Sequence, residues 1–239
     1  MLAAIGTQAT GCIISSDDGG SGAVITADWT FQDVNAKGQT TTTPCPVGYG
    51  TVALHTEEVD ANDRPIPGTE VLDLFDCADG RGPSAPLAPA VYETWIEVTN
   101  GNGGALYAES LSGILDVRDV DLPFHSDIIN NGGYFSIAWN LKGAASNRAL
   151  TCADVASLSS IEISATLAGS QQAVADKFDC VRGSDFSAPV LQGNYVVSVA
   201  ALNSADQALG PVQNLANKVM RDRNQVTDLG TVMLAIDGQ

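Results

Sequence analysis

Five cysteines, two histidines and a few tight groups of acids are the residues of this 239-residue chain with the most chemical reach. Two of the cysteines recur in one frame, Phe75-Asp76-Cys77-x-x-Gly80 and Phe178-Asp179-Cys180-x-x-Gly183. A cysteine so placed can form a disulfide, ligate a metal as thiolate, or cycle as a redox pair. The metal and redox readings find little support, because the chain has no Cys-x-x-Cys and its histidines, His55 and His125, fall at positions that do not correspond. The disulfide reading pairs Cys45 with Cys77 and Cys152 with Cys180. Each bridge would close a loop of about thirty residues and contribute roughly 3–4 kcal/mol in the chain-entropy model. Two bridges imply an oxidising compartment and leave Cys12 as the odd cysteine.

Acid–base and nucleophilic chemistry is harder to place. His55 sits in an alternating strand and His125 in a turn-like segment. Both read as surface or edge residues, and no Gly-x-Ser-x-Gly elbow is present for either to serve. Phosphate-binding, zincin and dinucleotide motifs are also absent. The chain therefore reads as not an enzyme, with no cofactor other than calcium to consider; the alternative is an enzyme with a cryptic carboxylate site, a glycosidase-like pair that nothing among the many acids singles out. Asp60, Asn62 and Asp63 lie in one turn, and Asp116, Asp119 and Asp121 in another. Hard oxygens at this spacing suit calcium, although neither stretch completes an EF-hand loop. Ordinary solvated turns are the competing reading. Trp95 shares a strand face with Glu93 and Glu97, opposite Tyr92 and Ile96, which points it outward. An exposed Trp95 could stack on a sugar ring or anchor a partner; packing against a loop or a second domain is the alternative.

The elements that hold these residues come in two similar sets. Residues 22–31 match 132–141, with Trp29 on Trp139. Thr-Pro-Cys45 matches Leu-Thr-Cys152, and the two Phe-Asp-Cys frames match each other. Tyr92 and Asn100 match Tyr195 and Asn203. From Phe75 to Asn100 the offset is constant at 103 residues (75 to 178, 100 to 203). Such order reads as a tandem duplication with units of about 105 residues, the size of one β-sandwich. Alternating apolar runs separated by Gly, Asn, Asp and Pro turns predict an all-β chain of two tandem antiparallel sandwiches, each with one internal disulfide. The divisions expected are a tether over 1–22, a first sandwich over 23–131 and a second over 132–239. Helix is minor, with a turn or two expected near 152–160 and 214–222. The direct join at residues 130–133 predicts limited hinge freedom.

Acids outnumber bases 28 to 11, for a net charge of −17. Such a surface repels nucleic acid and anionic lipid. Residues 2–11 are mostly small or apolar and end in Gly11-Cys12, and a Gly/Ser-rich stretch follows. This resembles a bacterial lipoprotein signal, which implies cleavage before Cys12, lipid on Cys12, and, with Ile13 and Ile14 following, the outer membrane. No segment has the roughly 18–20 apolar residues of a spanning helix. Residues 191–199, Leu-Gln-Gly-Asn-Tyr-Val-Val-Ser-Val, resemble the Leu-x-Gly-x-Tyr-x-Val-x-Val strand of carboxypeptidase-regulatory-like, prealbumin-type and bacterial immunoglobulin-like sandwiches. That resemblance implies a seven-stranded accessory module without catalytic residues. The expected function is a non-catalytic, lipid-anchored envelope protein that binds or builds. The alternative is calcium- or glycan-dependent adhesion. Its partners would be the membrane, through Cys12, and an envelope protein or surface glycan.

Overall fold

The computed structural model describes residues 22–101, 104–118 and 120–238, so Cys12, Asp119 and the signal-like segment lie outside the described residues. The chain is all-β and forms two sandwiches with one disulfide each. The first is built from β1 (Ile25–Val34), β2 (Thr40–Thr43), β3 (Thr51–Glu58), β4 (Val71–Asp76), β5 (Arg81–Pro83), β6 (Val91–Thr99), β7 (Leu106–Glu109), β8 (Gly113–Asp116) and β9 (Leu122–Ile129). The second uses β10 (Gly132–Gly143), β11 (Ala149–Leu150), β12 (Ser160–Leu167), β13 (Ala173–Phe178), β14 (Ser184–Phe186), β15 (Val190–Leu191), β16 (Gly193–Leu202), β17 (Gln213–Met220) and β18 (Gln225–Ile236).

Strand order is the same in both. One sheet places β1 between β9 and the short strands β2 and β5; its counterpart places β10 between β18 and β11, β14 and β15. The other sheet runs β4-β3-β6 and ends in β7 and β8, and its counterpart runs β13-β12-β16-β17. Pairing is antiparallel except where the first and last strands of a sandwich meet, β1 with β9 and β10 with β18, which run parallel. A parallel pair needs a long connection, and here the connection is the rest of the sandwich. The segment near 214–222, expected to be partly helical, is strand β17, because its ladder with β16 overrides local helix preference. The expected turn near 152–160 is a single 3-10 turn, Cys152–Asp154.

The alternating burial of β1 and β6 shows how sequence becomes core. Ile25, Ala27, Trp29 and Phe31 meet Tyr92, Ile96 and Val98 inside the first sandwich. Phe135, Trp139, Tyr195 and Val197 do the same in the second. The repeated Phe-Asp-Cys-x-x-Gly frame is a staple. Each phenylalanine packs against the core tryptophan, with ring centroids 5.8 Å apart for Phe75–Trp29 and 6.2 Å for Phe178–Trp139. Each aspartate caps a 3-10 turn by accepting an amide two residues on. Each cysteine is bridged, Cys77 to Cys45 and Cys180 to Cys152, and its carbonyl accepts the indole N–H of Trp29 or Trp139 at 3.0 Å. Each glycine ends the turn at positive φ, +66° at Gly80 and +70° at Gly183, where a side chain would be strained. The frame therefore serves architecture, and no redox or metal chemistry is needed to explain it.

One core position departs from this economy. Thr56 and Thr94 face each other across β3 and β6, fully buried, and neither hydroxyl has a hydrogen-bond partner. A buried hydroxyl without a partner costs about 1–3 kcal/mol. Thr94→Val keeps the shape and removes the polar atom, so we expect a gain of about 1 kcal/mol, read as a rise in melting temperature of a few degrees. A fall would show that the hydroxyl has a partner.

The two sandwiches meet directly. Asn131 continues the β1 ladder with its side chain, accepting from Val34 N and donating to Val34 O. A Cβ on Gly132 would lie 2.0 Å from Val190 O, so only glycine passes there. Val34, Ile129 and Tyr134 form a small apolar cluster with Leu111 and Leu191, drawing on both sandwiches. Asn224, 3% exposed and at φ +59°, sits at the seam. Its backbone N–H donates to Ile129 O and Gly132 O, its Oδ1 accepts from Ile129 N at 2.7 Å, and its Nδ2 donates to Glu109 O at 2.8 Å. Arg223 beside it lies 5.2 Å above the Tyr107 ring.

Candidate functional site

A cleft of about 580 Å³ opens between the sandwiches, lined on one side by Glu93 and Trp95 of β6 and on the other by Ser136 of β10, Phe186 of β14, and Val226 and Asp228 of β18. The strand breaks between β7 and β8 put residues 110–112 along it. Ser110 makes this break stable. Its N–H donates to Ile96 O, its Oγ accepts from Ile96 N at 2.8 Å, and the same Oγ donates to Leu111 O. In the second sandwich the equivalent strand, β17, runs on without such a break.

Trp95 is on the outer face of β6, as the alternation implies, and is half-buried. Its indole stacks on the His55 ring, with centroids 4.7 Å apart and planes 12° from parallel. The stack follows from register, since His55 of β3 stands directly across from Trp95. His55 is consequently 8% exposed, and the surface or edge position expected for it is corrected: a neighbour from another strand covers it. Its Nδ1 lies 2.6 Å from Glu70 Oε1, and its Nε2 lies 3.5 Å from Glu97 Oε2. Glu97 in turn faces Glu109 across the ladder. Partial desolvation, with repulsion from Glu97 and Glu93, holds the Glu109 carboxyl above its ordinary range, and His55 opposes the shift.

The equivalent ladder of the second sandwich carries none of this chemistry. There Ser164 faces Ser198 where His55 faces Trp95, and Val196 and Ala200 stand where Glu93 and Glu97 do. One scaffold thus carries two different outer faces. Folding does not require the His–Trp–Glu set, because the second sheet forms without it.

The calcium candidates are placed differently. The Asp60 carboxylate accepts the backbone amides of Asn62 and Arg64, and these bonds hold its pKa below the ordinary value. Asn62 and Asp63 are exposed in the same turn, Asp63 at φ +56°. Asp116 is paired with Arg118, and Asp121 accepts Val24 N. Among the described residues, no three His, Cys, Asp or Glu side chains gather as a metal site. The carboxylates of Asp60, Asp116 and Asp121 are thus directed at the backbone of their own turn, at an arginine and at a distant backbone amide.

His125 forms a second polar cluster, on the outer face of the β1–β9 pair. Its Nδ1 meets the Asp28 carboxylate and its Nε2 lies 3.3 Å from Asp127, which also accepts from Thr30 and Gln32. The hydrogen bond to Asp28 and the charge of Asp127 raise the His125 pKa, against a smaller opposing effect of burial. A raised folded-state pKa stabilises below the unfolded value of about 6.5, and that contribution is lost as pH rises through the folded value. Exposure screens the effect. We expect an NMR titration to place His125 above about 6.5 and Asp28→Asn to lower it; an unchanged value in the variant would refute the assignment.

No protein-family model matches this chain, and no curated protein does. Solved structures similar to it include the minor pilin of Streptococcus agalactiae (11% identity, 90% of this chain and 95% of that one, TM-score 0.31). Others are a candidate adhesin from Bacteroides ovatus (9%, 87% and 88%, 0.31) and a candidate polysaccharide-binding protein from Bacteroides thetaiotaomicron (7%, 89% and 92%, 0.32). At these scores the likeness carries no inference about what this chain binds.

Proposed function

We propose that this chain is a non-catalytic cell-envelope module that binds an envelope partner or surface glycan in the cleft between its sandwiches. Acyl chains on Cys12 would hold it to the outer membrane. The observation that carries the binding reading is the His55–Trp95 stack, an aromatic placed at an open cleft on a face whose counterpart in the same chain is Ser and Val. The anchor rests on the Gly11-Cys12 sequence, and two disulfides agree with an oxidising compartment. The histidines form no nucleophile–base pair: their nitrogens face carboxylates, and no hydroxyl or thiol among the described residues is hydrogen-bonded to them. We further propose that the sandwiches, over 23–131 and 132–239, arose by duplication, and that the first alone acquired the binding face.

Two measurements on the native protein test this. Its intact mass should correspond to a chain that begins at Cys12, carries acyl groups and gains four hydrogens on reduction. An unacylated mass with free thiols would overturn the anchor and the compartment together. Hydrogen exchange in native membranes, compared with the purified protein, should show protection at β6, 109–112 and β14. Equal exchange in both settings would sink the cleft as the binding surface.

A further inference from the structure

The cleft is lined by carboxylates and rings together. Glu93 and Glu109 stand on one side and Asp228 on the other, with Trp95 facing the side that carries Phe186. Among the described residues that line it there is no lysine or arginine. Arg182 lies in one adjoining depression, held 2.6 Å from Asp185, and Lys218 and Arg221 line another beside Val226 and Asp228. Phe186 is 40% exposed and Val226 43%. Apolar surface therefore lies beside three carboxylates, of which Asp228 accepts from Ser136 Oγ and Gly230 N while Glu93 and Glu109 have no lysine or arginine beside them in the lining.

From this charge pattern we infer that the cleft receives a basic segment of a partner protein, with an arginine laid on the Trp95 ring and its charge met by Glu93, Glu109 and Asp228. The inference rests on the binding reading above and names the occupant. A guanidinium stacks on an indole face and donates to carboxylates in the same plane. Its methylene stem suits the apolar wall of Phe186 and Val226. A neutral sugar would use the indole but would cover carboxylates without meeting their charge, a costly desolvation. Burial first, and repulsion from Glu97 and Glu93 second, raise the Glu109 carboxyl, and a cation bound beside it would favour its charged form. His55 supports the arrangement from below. It is nine-tenths buried, stacked under Trp95 and held by Glu70, so it fixes the ring and leaves the other face to the cleft.

Trp95 also makes the test readable. Trp29 and Trp139 are 3% and 4% exposed in the two cores, so a ligand-dependent fluorescence change reports Trp95. The full chain and its variants are titrated by calorimetry, with fluorescence as a second readout wherever Trp95 is retained, against a capped peptide carrying two arginines, the same peptide with glutamates, a neutral glucose oligomer and a glucosamine oligomer. The arginine peptide is expected to shift the fluorescence and to bind at least ~10-fold more tightly than the glutamate peptide, with affinity falling as salt rises. Trp95→Ser, the residue of the equivalent position, and the triple variant Glu93→Gln/Glu109→Gln/Asp228→Asn should each weaken binding about tenfold or more. An unchanged melting temperature would certify the fold of both variants. Arginine-peptide binding that survives both variants would overturn the inference. Neutral-sugar binding lost in Trp95→Ser, or glucosamine binding tighter than the peptide's, would keep the cleft as a binding site and overturn the basic-peptide occupant. No Trp95-dependent binding by any probe would overturn the occupant and the cleft reading together.

Discussion

Replacing Cys152 and Cys180 together by alanine should destabilise the second sandwich by about 3–4 kcal/mol. At roughly 4–8 °C per kcal/mol for a unit of this size, its melting transition should fall by about 12 °C or more. The corresponding change at Cys45 and Cys77 should do the same to the first sandwich. The sequence separations, 28 and 32 residues, are too close for the loop-entropy term to differ. Each bridge also anchors a 3-10 turn whose carbonyl holds a core indole, so its loss frees Trp29 or Trp139 as well. Calorimetry of the oxidised protein, the two double variants and the fully reduced protein resolves the contributions. A shift confined to the sandwich that lost its bridge is the expected result. A drop of less than about 1 kcal/mol would mean that the cysteines merely lie close, and that the Phe-Asp-Cys frame is held by packing and capping alone.

That frame was legible because its signal is local, although the tryptophan and the second cysteine it meets are not. Phenylalanine, aspartate, cysteine and glycine act within six residues, and the 103-residue offset repeats them. The outward direction of Trp95 was legible for the same reason, since strand alternation is a period of two. His55 was not legible. Its burial comes from Trp95, forty residues away, through the β3–β6 register, and no local pattern reports a cross-strand cover. Residues 214–220 misled in the opposite sense. Leu, Ala, Asn, Lys and Val in succession carry no clean alternation, and only the ladder with β16 makes them a strand. The acids at 60–63 could be read as a turn from composition. Which way the Asp60 carboxylate points depends on the backbone of that turn, and it points at its own amides. The cleft was the least legible feature, because it depends on how two sandwiches meet.

The residue that fixes that meeting is Asn224, and its replacement should have the other large effect. Asn224→Ala removes the acceptor for Ile129 N and the donor to Glu109 O, and it leaves an alanine in the left-handed region. Each buried group left without a partner costs about 1–3 kcal/mol, and the backbone strain adds about 1–2 kcal/mol. A loss of about 3–8 kcal/mol is expected when both terms are counted. Asn224→Gly separates them, because glycine accepts the positive φ and lacks the side chain. It should recover the strain and retain the hydrogen-bond loss. The location of the loss matters more than its size. Glu109 O, the acceptor that Asn224 holds, belongs to the residue that begins the 109–112 stretch of the cleft, and Ile129 N belongs to the last strand of the first sandwich. Both variants should therefore loosen the seam before either core. Hydrogen exchange should quicken at 109–112 and 129–133 while Leu54 and Val199, deep in the two sheets, stay protected. Ligand affinity at the cleft should fall with it, since a site whose walls belong to different sandwiches is only as well formed as the joint between them. If exchange instead quickened uniformly, Asn224 would be a stabiliser of the whole fold, and the cleft would owe its shape to the apolar contacts of Val34, Ile129 and Tyr134.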